Sequence, residues 1–231
     1  MYKRSGTTPL YPVFLSLRGL HCVIAGLGHV GQRKLEGLLA CDPAGVLALD
    51  IAPPTPEAVK LLEDPRVHFA CRPLSSSDLR HCVLAFAATN DAAENARIIA
   101  LCAEHGVLCC SVTSPQEANF HVPAVARCDS LAAAISTSGA SPALARRWKS
   151  ELQDWLAPRS RMAKLMGRIR PLVLALNHTT EYNTHLFRTL ATSPLQDRLA
   201  KADWNACELL LRKILPPDLH DNLAELLHDL P

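Results

Sequence analysis

Nowhere does the chain run to about 18 consecutive uncharged apolar residues, so no membrane-spanning helix is expected. Nor is there a Cys-x-x-Cys pair, although the 231 residues include nine cysteines. Zinc ribbons and thioredoxin-like redox pairs are therefore unsupported, and no metal site is expected. The count is odd and the chain is too long for a small disulfide-stapled domain. Most of the cysteines lie within apolar runs, where a reduced thiol acts as a small hydrophobe. Charge of one sign is not in excess: 24 Lys and Arg stand against 22 Asp and Glu, a net +2, so nothing points to nucleic acid. The polar stretch from Met1 to Pro9 lacks the apolar centre of a secretory signal, and the cytoplasm is expected. Internal repeats and low-complexity segments are missing too. What remains, 48% hydrophobic and 20% charged residues, is the composition of a globular chain able to bury a core, with room for one larger domain and a smaller appendage.

The stretch from Leu20 to Asp50 organises the rest. Leu20 to Ala25 is a short apolar run with β-branched residues and reads as a buried strand. Gln32 to Ala40 carries apolar residues at 35, 38 and 39 among good helix formers and reads as a helix. Gly26-Leu27-Gly28-His29-Val30-Gly31 joins them. In a G-x-G-x-x-G turn the first glycine permits the tight bend, the second lets a pyrophosphate approach the backbone, and the third lets helix and strand pack closely. The helix N-terminus then offers N–H groups to the phosphates. A second apolar run, Val46 to Leu49, ends in Asp50, about 20 residues past the glycines, where an acid accepts ribose hydroxyls and repels the 2′-phosphate of NADP. NAD is the expected cofactor. The plainer alternative is a glycine-rich turn in an ordinary α/β protein.

Alternating strands and helices continue to about residue 112. Strands are expected near Val67–Ala70, Val83–Ala88 and Val107–Val112, and helices near 57–63 and 92–105. Tyr11 to Leu17 reads as an edge strand because Pro12 lacks an N–H, and Ser77 as a cap of the short segment from Asp78. The pattern then changes. Phe120–Val125 and Leu131–Ser136 read as strands of a hairpin outside the main sheet. Ser141 and Pro142 suit the start of a helix. From there the chain reads as helical, with breaks near Pro158, Pro171, Pro194 and Pro216-Pro217. The fold class is thus α/β, an N-terminal doubly wound parallel (Rossmann) sheet followed by a small central region and a helical C-terminal module. The expected divisions are 1–112, 113–150 and 151–231.

Four segments resemble the precorrin-2 dehydrogenase / sirohydrochlorin ferrochelatase family, the N-terminal module of siroheme synthases. They are Tyr11-Pro12-Val13-Phe14-Leu15, then Gly26 to Val30 with Arg33-Lys34, then Ala87-Ala88-Thr89-Asn90-Asp91 with Asn95, and Thr137 to Arg146. They follow the family's order over residues 9 to about 150. The resemblance implies a Rossmann domain, a central dimerisation region and a helical region, assembled as a homodimer whose cleft draws on both subunits. It implies oxidation of precorrin-2 to sirohydrochlorin with NAD, and in some members ferrous ion insertion to give siroheme. One departure matters. Bifunctional members carry an Asp after the fifth strand; aligned on Pro115, Phe120 and Pro123, that position is Thr113 here. Threonine is no carboxylate base at neutral pH, so a dehydrogenase with little or no chelatase activity is favoured, with iron insertion left to a separate chelatase.

The candidate residues follow. Gly26, Leu27, Gly28, His29, Val30, Gly31, Asp50, Thr89 and Asn90 are expected at the cofactor. Thr113, His121 and Asp91 are the candidate catalytic groups. Asp91 reads equally as a helix N-cap, and His121 as a partly buried strand histidine. Ser138, Gly139, Ser141, Arg146 and Arg147 are expected at the carboxylate-rich substrate. Arginine suits such a ligand, and Lys149, Arg159, Arg161, Lys164, Arg168 and Arg170 extend the basic run, which reads alternatively as a solvated helix face. Two other functions remain open: a bifunctional chelatase using His121 or Asp91, and a non-catalytic NAD-sensing module.

Overall fold

Five short strands joined by four crossovers build a parallel sheet. The structure is a computed structural model that describes residues 10–114 and 116–230. Pro115 and the polar stretch 1–9 lie outside the described residues. Contacts divide the chain into two compact units, residues 8–122 and residues 123–231.

In the first unit the order is β1 (His21–Ala25), α1 (His29–Leu39), β2 (Gly45–Asp50), α2 (Pro56–Leu62), β3 (Val67–Cys71), β4 (Cys82–Ala87), α3 (Ala92–Glu104) and β5 (Leu108–Ser111). The strands lie in the order β3-β2-β1-β4-β5, all pairs parallel. The order reverses beside β1, and this switch point is where an open α/β sheet binds ligands, outside the carboxyl ends of its strands. Alternate residues of β1 feed the two faces. Cys22 and Ile24 join Leu35, Leu38 and Phe86 on one side, and Val23 and Ala25 join Ile98, Cys102 and Cys109 on the other. Six of the nine cysteines are buried and all nine are free; Cys71 is exposed. Burial pushes the Cys22 thiol up to about 12 and that of Cys82 to about 11, so both stay protonated and act as core.

Two local expectations change. Residues 10–17 form no strand; only Leu17 is buried, and Tyr11, Val13 and Phe14 stand exposed. An apolar run becomes a strand only with a ladder partner for its backbone, and this one has none among the described residues. The β3–β4 crossover is a single 3₁₀ turn, Ser76–Leu79, capped by Ser75 rather than Ser77. Asp78 accepts from the Ser75 N–H at 2.8 Å and from Arg72 at 2.6 and 2.8 Å. The Arg72 guanidinium holds its carboxyl well down, at about 2.

The second unit opens with an antiparallel hairpin, β6 (Ala124–Cys128) and β7 (Leu131–Ile135), separate from the main sheet as the sequence suggests. β6 begins at Ala124, not Phe120. The ring of Phe120 instead meets Phe86 edge-on within the first unit, at a centroid distance of 5.4 Å. Thr137 to Ala140 make a tight turn with Ser138 (φ 50°) and Gly139 (φ 84°) both left-handed, closed by the Ala140 N–H on the Thr137 carbonyl at 2.9 Å. α4 (Pro142–Leu156) follows, with Ser141 as N-cap and Pro142 in its first turn. From α4, Gln153 accepts from the Arg127 N–H at 3.2 Å and donates to its carbonyl at 2.6 Å, closing the backbone of β6 at that point. Then come α5 (Ser160–Ala175), α6 (Thr180–Thr192), α7 (Leu195–Ala200), α8 (Trp204–Ile214) and α9 (Leu223–Leu227), around a core of Leu165, Ile169, Val173, Leu190, Leu199 and Leu211.

Pro171 breaks nothing: α5 runs through it. The proline sacrifices one helical N–H, but Leu165, Ile169 and Val173 on either side are fully buried, and that packing holds the helix. The basic run also has a different use. Arg161 donates to the Leu199 carbonyl at 2.8 Å and Lys164 to that of Asp229 at 2.8 Å. Arg168 donates to the carbonyls of Glu225 (3.3 Å), Leu226 (3.0 Å) and His228. Arg159 and Arg170 lie over the rings of Trp155 and Phe187. These side chains cap helix ends and cover apolar rings, so their charge serves the fold. Replacing Arg168 by Met should lower stability to urea by about 2–4 kcal/mol, because three carbonyls lose a charged donor, and should leave dinucleotide affinity unchanged. Equilibrium unfolding and a binding titration on the same sample check both.

Candidate functional site

The glycine turn has the form its spacing predicts. Gly26 is left-handed at φ 97°, and a Cβ there would stand 2.4 Å from the Ala88 carbonyl oxygen. A Cβ on Gly31 would lie 1.9 Å from the Gly26 carbonyl oxygen. Gly28 differs: a Cβ there would meet nothing within 4 Å, so the space above the loop is open. Gly28 is also the N-cap residue of α1 and brings no capping side chain. The first N–H groups of the helix therefore face that space with no side chain to satisfy them. Its shape and its donors both fit the pyrophosphate of a dinucleotide.

Around this opening the chain is tied down by its own polar groups. Asp50, at the end of β2, accepts from the Leu27 N–H at 2.6 Å through Oδ2 and from the Ala52 N–H at 3.0 Å through Oδ1. A carboxylate has about four acceptor positions, so two remain for ribose hydroxyls. Gln32 donates through Nε2 to the Leu27 carbonyl at 2.8 Å and to Thr55 Oγ1 at 3.3 Å. Thr55 in turn caps α2 by accepting from the Ala58 N–H. His29 and Val30, the first residues of α1, are exposed.

At the carboxyl ends of β4 and β5 a second network centres on Asn95. This side chain is fully buried on the stripe of α3 that also carries Ile98 and Cys102. Its Oδ1 accepts from Thr89 N–H (3.1 Å) and Thr89 Oγ1 (2.7 Å). Its Nδ2 donates to the Thr89 carbonyl (2.9 Å) and to Thr113 Oγ1 (3.0 Å). Every hydrogen-bonding capacity of the amide is thereby used, which removes the cost of burying it. Thr89 and Thr113 are thus brought to one place, and Asn90 is exposed beside them.

Asp91 caps α3: its Oδ1 accepts from the N–H groups of Ala93 (2.8 Å) and Glu94 (3.3 Å). His121 is exposed and outside any strand. On the other face Lys34 is half-buried with Nζ 5.7 Å from the Phe86 ring centroid, and burial lowers the pKa of its ammonium. In the second unit the Ser141 hydroxyl is engaged as cap, accepting from the Leu144 N–H at 3.3 Å. Arg146 and Arg147 are exposed on α4, and Arg147 pairs with Glu151 at 2.9 Å. That pair is an exposed i,i+4 contact and holds the guanidinium only weakly.

Asn95 and Gln32 were not among the residues expected at the site. Asn95 was findable, because an amide stands on an otherwise apolar helical stripe where only a satisfied polar group is tolerated. For Gln32 the sequence carries no signal, since its partners, the Leu27 carbonyl and the Thr55 hydroxyl, are brought in by the fold. Replacing Asn95 by Leu should cost about 2–4 kcal/mol of stability, since the Thr89 N–H and carbonyl lose their partner, and should weaken dinucleotide binding as Thr89 shifts. Urea unfolding and an NAD titration check this; full stability in the variant would show that water replaces the amide.

Residues 13–124 match a family model described as putative NAD(P)-binding. The siroheme synthase of Azotobacter vinelandii is 32% identical over 204 residues, covering 87% of this chain and 43% of that protein. That of Methylococcus capsulatus is 32% identical over 163 residues, 70% of this chain and 34% of its own length. The chain thus spans less than half the length of these relatives. Among solved structures, SirC, precorrin-2 dehydrogenase, superposes with a TM-score of 0.70 at 22% identity, covering 89% of this chain and 98% of the other, so the two share a fold. With the glycine loop, the acid ending β2 and the polar crevice in place, the chain belongs to the NAD(P)-binding family that includes the N-terminal module of the siroheme synthases.

Proposed function

We propose that this chain is an NAD-dependent dehydrogenase that oxidises precorrin-2 to sirohydrochlorin, with weak or no ferrochelatase activity. A dinucleotide loop in a chain 32% identical to siroheme synthases carries this reading. NAD, when bound, supplies the hydride acceptor for the ring carbon that is oxidised; the second hydrogen leaves as a proton. Gly26 to Gly31 would hold the pyrophosphate and Asp50 the ribose. Asp50 also favours NAD over NADP, because a 2′-phosphate would face its carboxylate. Thr89 and Asn90 would meet the cofactor at the end of β4. Positioning supplies much of the acceleration, and gain of conjugation in the product drives the step, so a strong base is dispensable.

Metal insertion asks for more. Two pyrrole protons must leave as the ion enters, and the chain offers little to take them. Thr113 is neutral, and its oxygen already accepts from Asn95. Asp91 has one oxygen committed to the α3 cap. Substrate carboxylates would meet Ser138, Gly139, Arg146 and Arg147, on the turn and helix after β7. A homodimer is part of the proposal. α4 leaves Leu144, Trp148 and Trp155 exposed, an apolar stripe suited to a second copy. The nine free thiols suit a reducing compartment such as the cytoplasm.

An anaerobic optical assay tests the reading: precorrin-2 and NAD first, then ferrous or cobaltous ion. A sirohydrochlorin spectrum that appears with NAD and then changes no faster with metal than the uncatalysed control is the expected result. Rapid metal-dependent change would mean that His121 or Asp91 does the work of the missing carboxylate. Absence of any NAD-dependent oxidation would leave an NAD-sensing module. In the same assay, Arg146→Gln with Arg147→Gln should raise KM for precorrin-2 about tenfold with little change in KM for NAD, the effect of losing charged contacts to carboxylates.

A further inference from the structure

We propose that Gln32 is a positioning residue for the dinucleotide phosphates, acting through the peptide unit between Leu27 and Gly28. This rests on the dinucleotide reading of the loop and concerns how the loop is held in its binding form. Leu27 has both of its backbone groups committed to side chains. Its N–H donates to Asp50 Oδ2 at 2.6 Å, which fixes the peptide unit before it. Its carbonyl accepts from Gln32 Nε2 at 2.8 Å, which fixes the peptide unit after it. A trans peptide places C=O and N–H on opposite sides, and the chain has no cis bond among the described residues. With the Leu27 carbonyl turned to Gln32, the Gly28 N–H must point the other way. No hydrogen bond within the described residues engages that N–H. The space above Gly28 is empty out to 4 Å around the site of a Cβ. Gln32 therefore aims a donor at the opening before any ligand arrives.

The amide is itself held. A primary amide has two N–H groups. One reaches the Leu27 carbonyl and the other Thr55 Oγ1 at 3.3 Å, the hydroxyl that caps α2. Gln32 thus spans from the glycine loop to the start of α2. Without it the Leu27–Gly28 unit would be free to rotate, since glycine at 28 offers no steric barrier, and part of the binding energy would go into re-ordering it.

The test uses the full chain with Gln32→Met, which keeps the length of the side chain and removes both donors, and Gln32→Ala as a second variant. Affinities for NAD, ADP-ribose and adenosine are measured by calorimetry or NMR titration, with a thermal melt of the ligand-free protein. Expected is a rise in Kd of about five- to thirtyfold for NAD and ADP-ribose, the worth of one aligned hydrogen bond. Adenosine, which lacks the pyrophosphate, should bind both forms alike, and Tm without ligand should hold. Equal affinity of wild type and both variants for NAD would overturn the assignment. So would an equal loss for adenosine, which would make Gln32 a prop of the whole pocket. A wild-type chain that binds neither NAD nor ADP-ribose would instead defeat the dinucleotide reading, and the proposal with it.

Discussion

The closeness of α1 to the turn before it sets the terms for everything at the carboxyl edge of the sheet. A Cβ at Gly31 would come within 1.9 Å of the Gly26 oxygen, so no other residue fits there without moving the helix. Because the helix starts this near the strand, its first N–H groups emerge directly over the end of β1, at the point where the strand order reverses. Leu27 buries its side chain in the same core as Leu35 and Phe86, and Gly28 beside it stands exposed. The backbone here belongs to no strand ladder, so side chains have to hold it. Asp50 and Gln32 do this from opposite sides of Leu27.

A comparable solution appears at the next strand. The segment after β4 is held by Asn95, whose amide engages the Thr89 backbone from both ends and extends to Thr113 beyond β5. In each case polar side chains from a helix or a strand end fasten an irregular backbone segment at the carboxyl edge of the sheet. Such segments carry no regular hydrogen-bond ladder, so their geometry depends on these few side chains. Charged groups are used differently in the helical unit. There Arg161, Lys164 and Arg168 reach carbonyl groups at the ends of distant helices.

Most of the first unit could be read from the sequence because its rules are local. Strand, glycine turn, helix and acid fall at spacings fixed by the βαβ geometry; in the second unit, Ser141-Pro142 likewise announces a helix start by capping chemistry alone. The readings that changed all depended on what a segment meets after folding. Tyr11 to Leu17 has strand composition but no ladder partner. Pro171 has breaking chemistry, yet its neighbours Ile169 and Val173 are fully buried and outweigh it. The arginines from 159 to 170 look like a surface for anions until the carbonyls and rings they reach are seen. Asp91 shows the intermediate case: its identity allows a ligand contact or a cap, and the cap is made.

Thr113 shows how the character of a hydrogen-bonded position depends on which group stands at its end. A carboxylate at that position would accept the Asn95 proton and still have lone pairs to take another from a ligand. The threonine oxygen accepts from Asn95 at 3.0 Å and has a hydrogen of its own to give. Ser111 Oγ stands 3.4 Å away, at the outer limit of a hydrogen bond, and competes weakly for it. The end of β5 therefore presents a neutral donor where an acid would present a base. In the proposed dehydrogenase a donor there would help to orient the carboxylate-rich substrate, but it would not receive the pyrrole protons that metal insertion releases. Under the function proposed above, such a site would serve the part of the chemistry that depends on position and would lack a group for the part that depends on basicity.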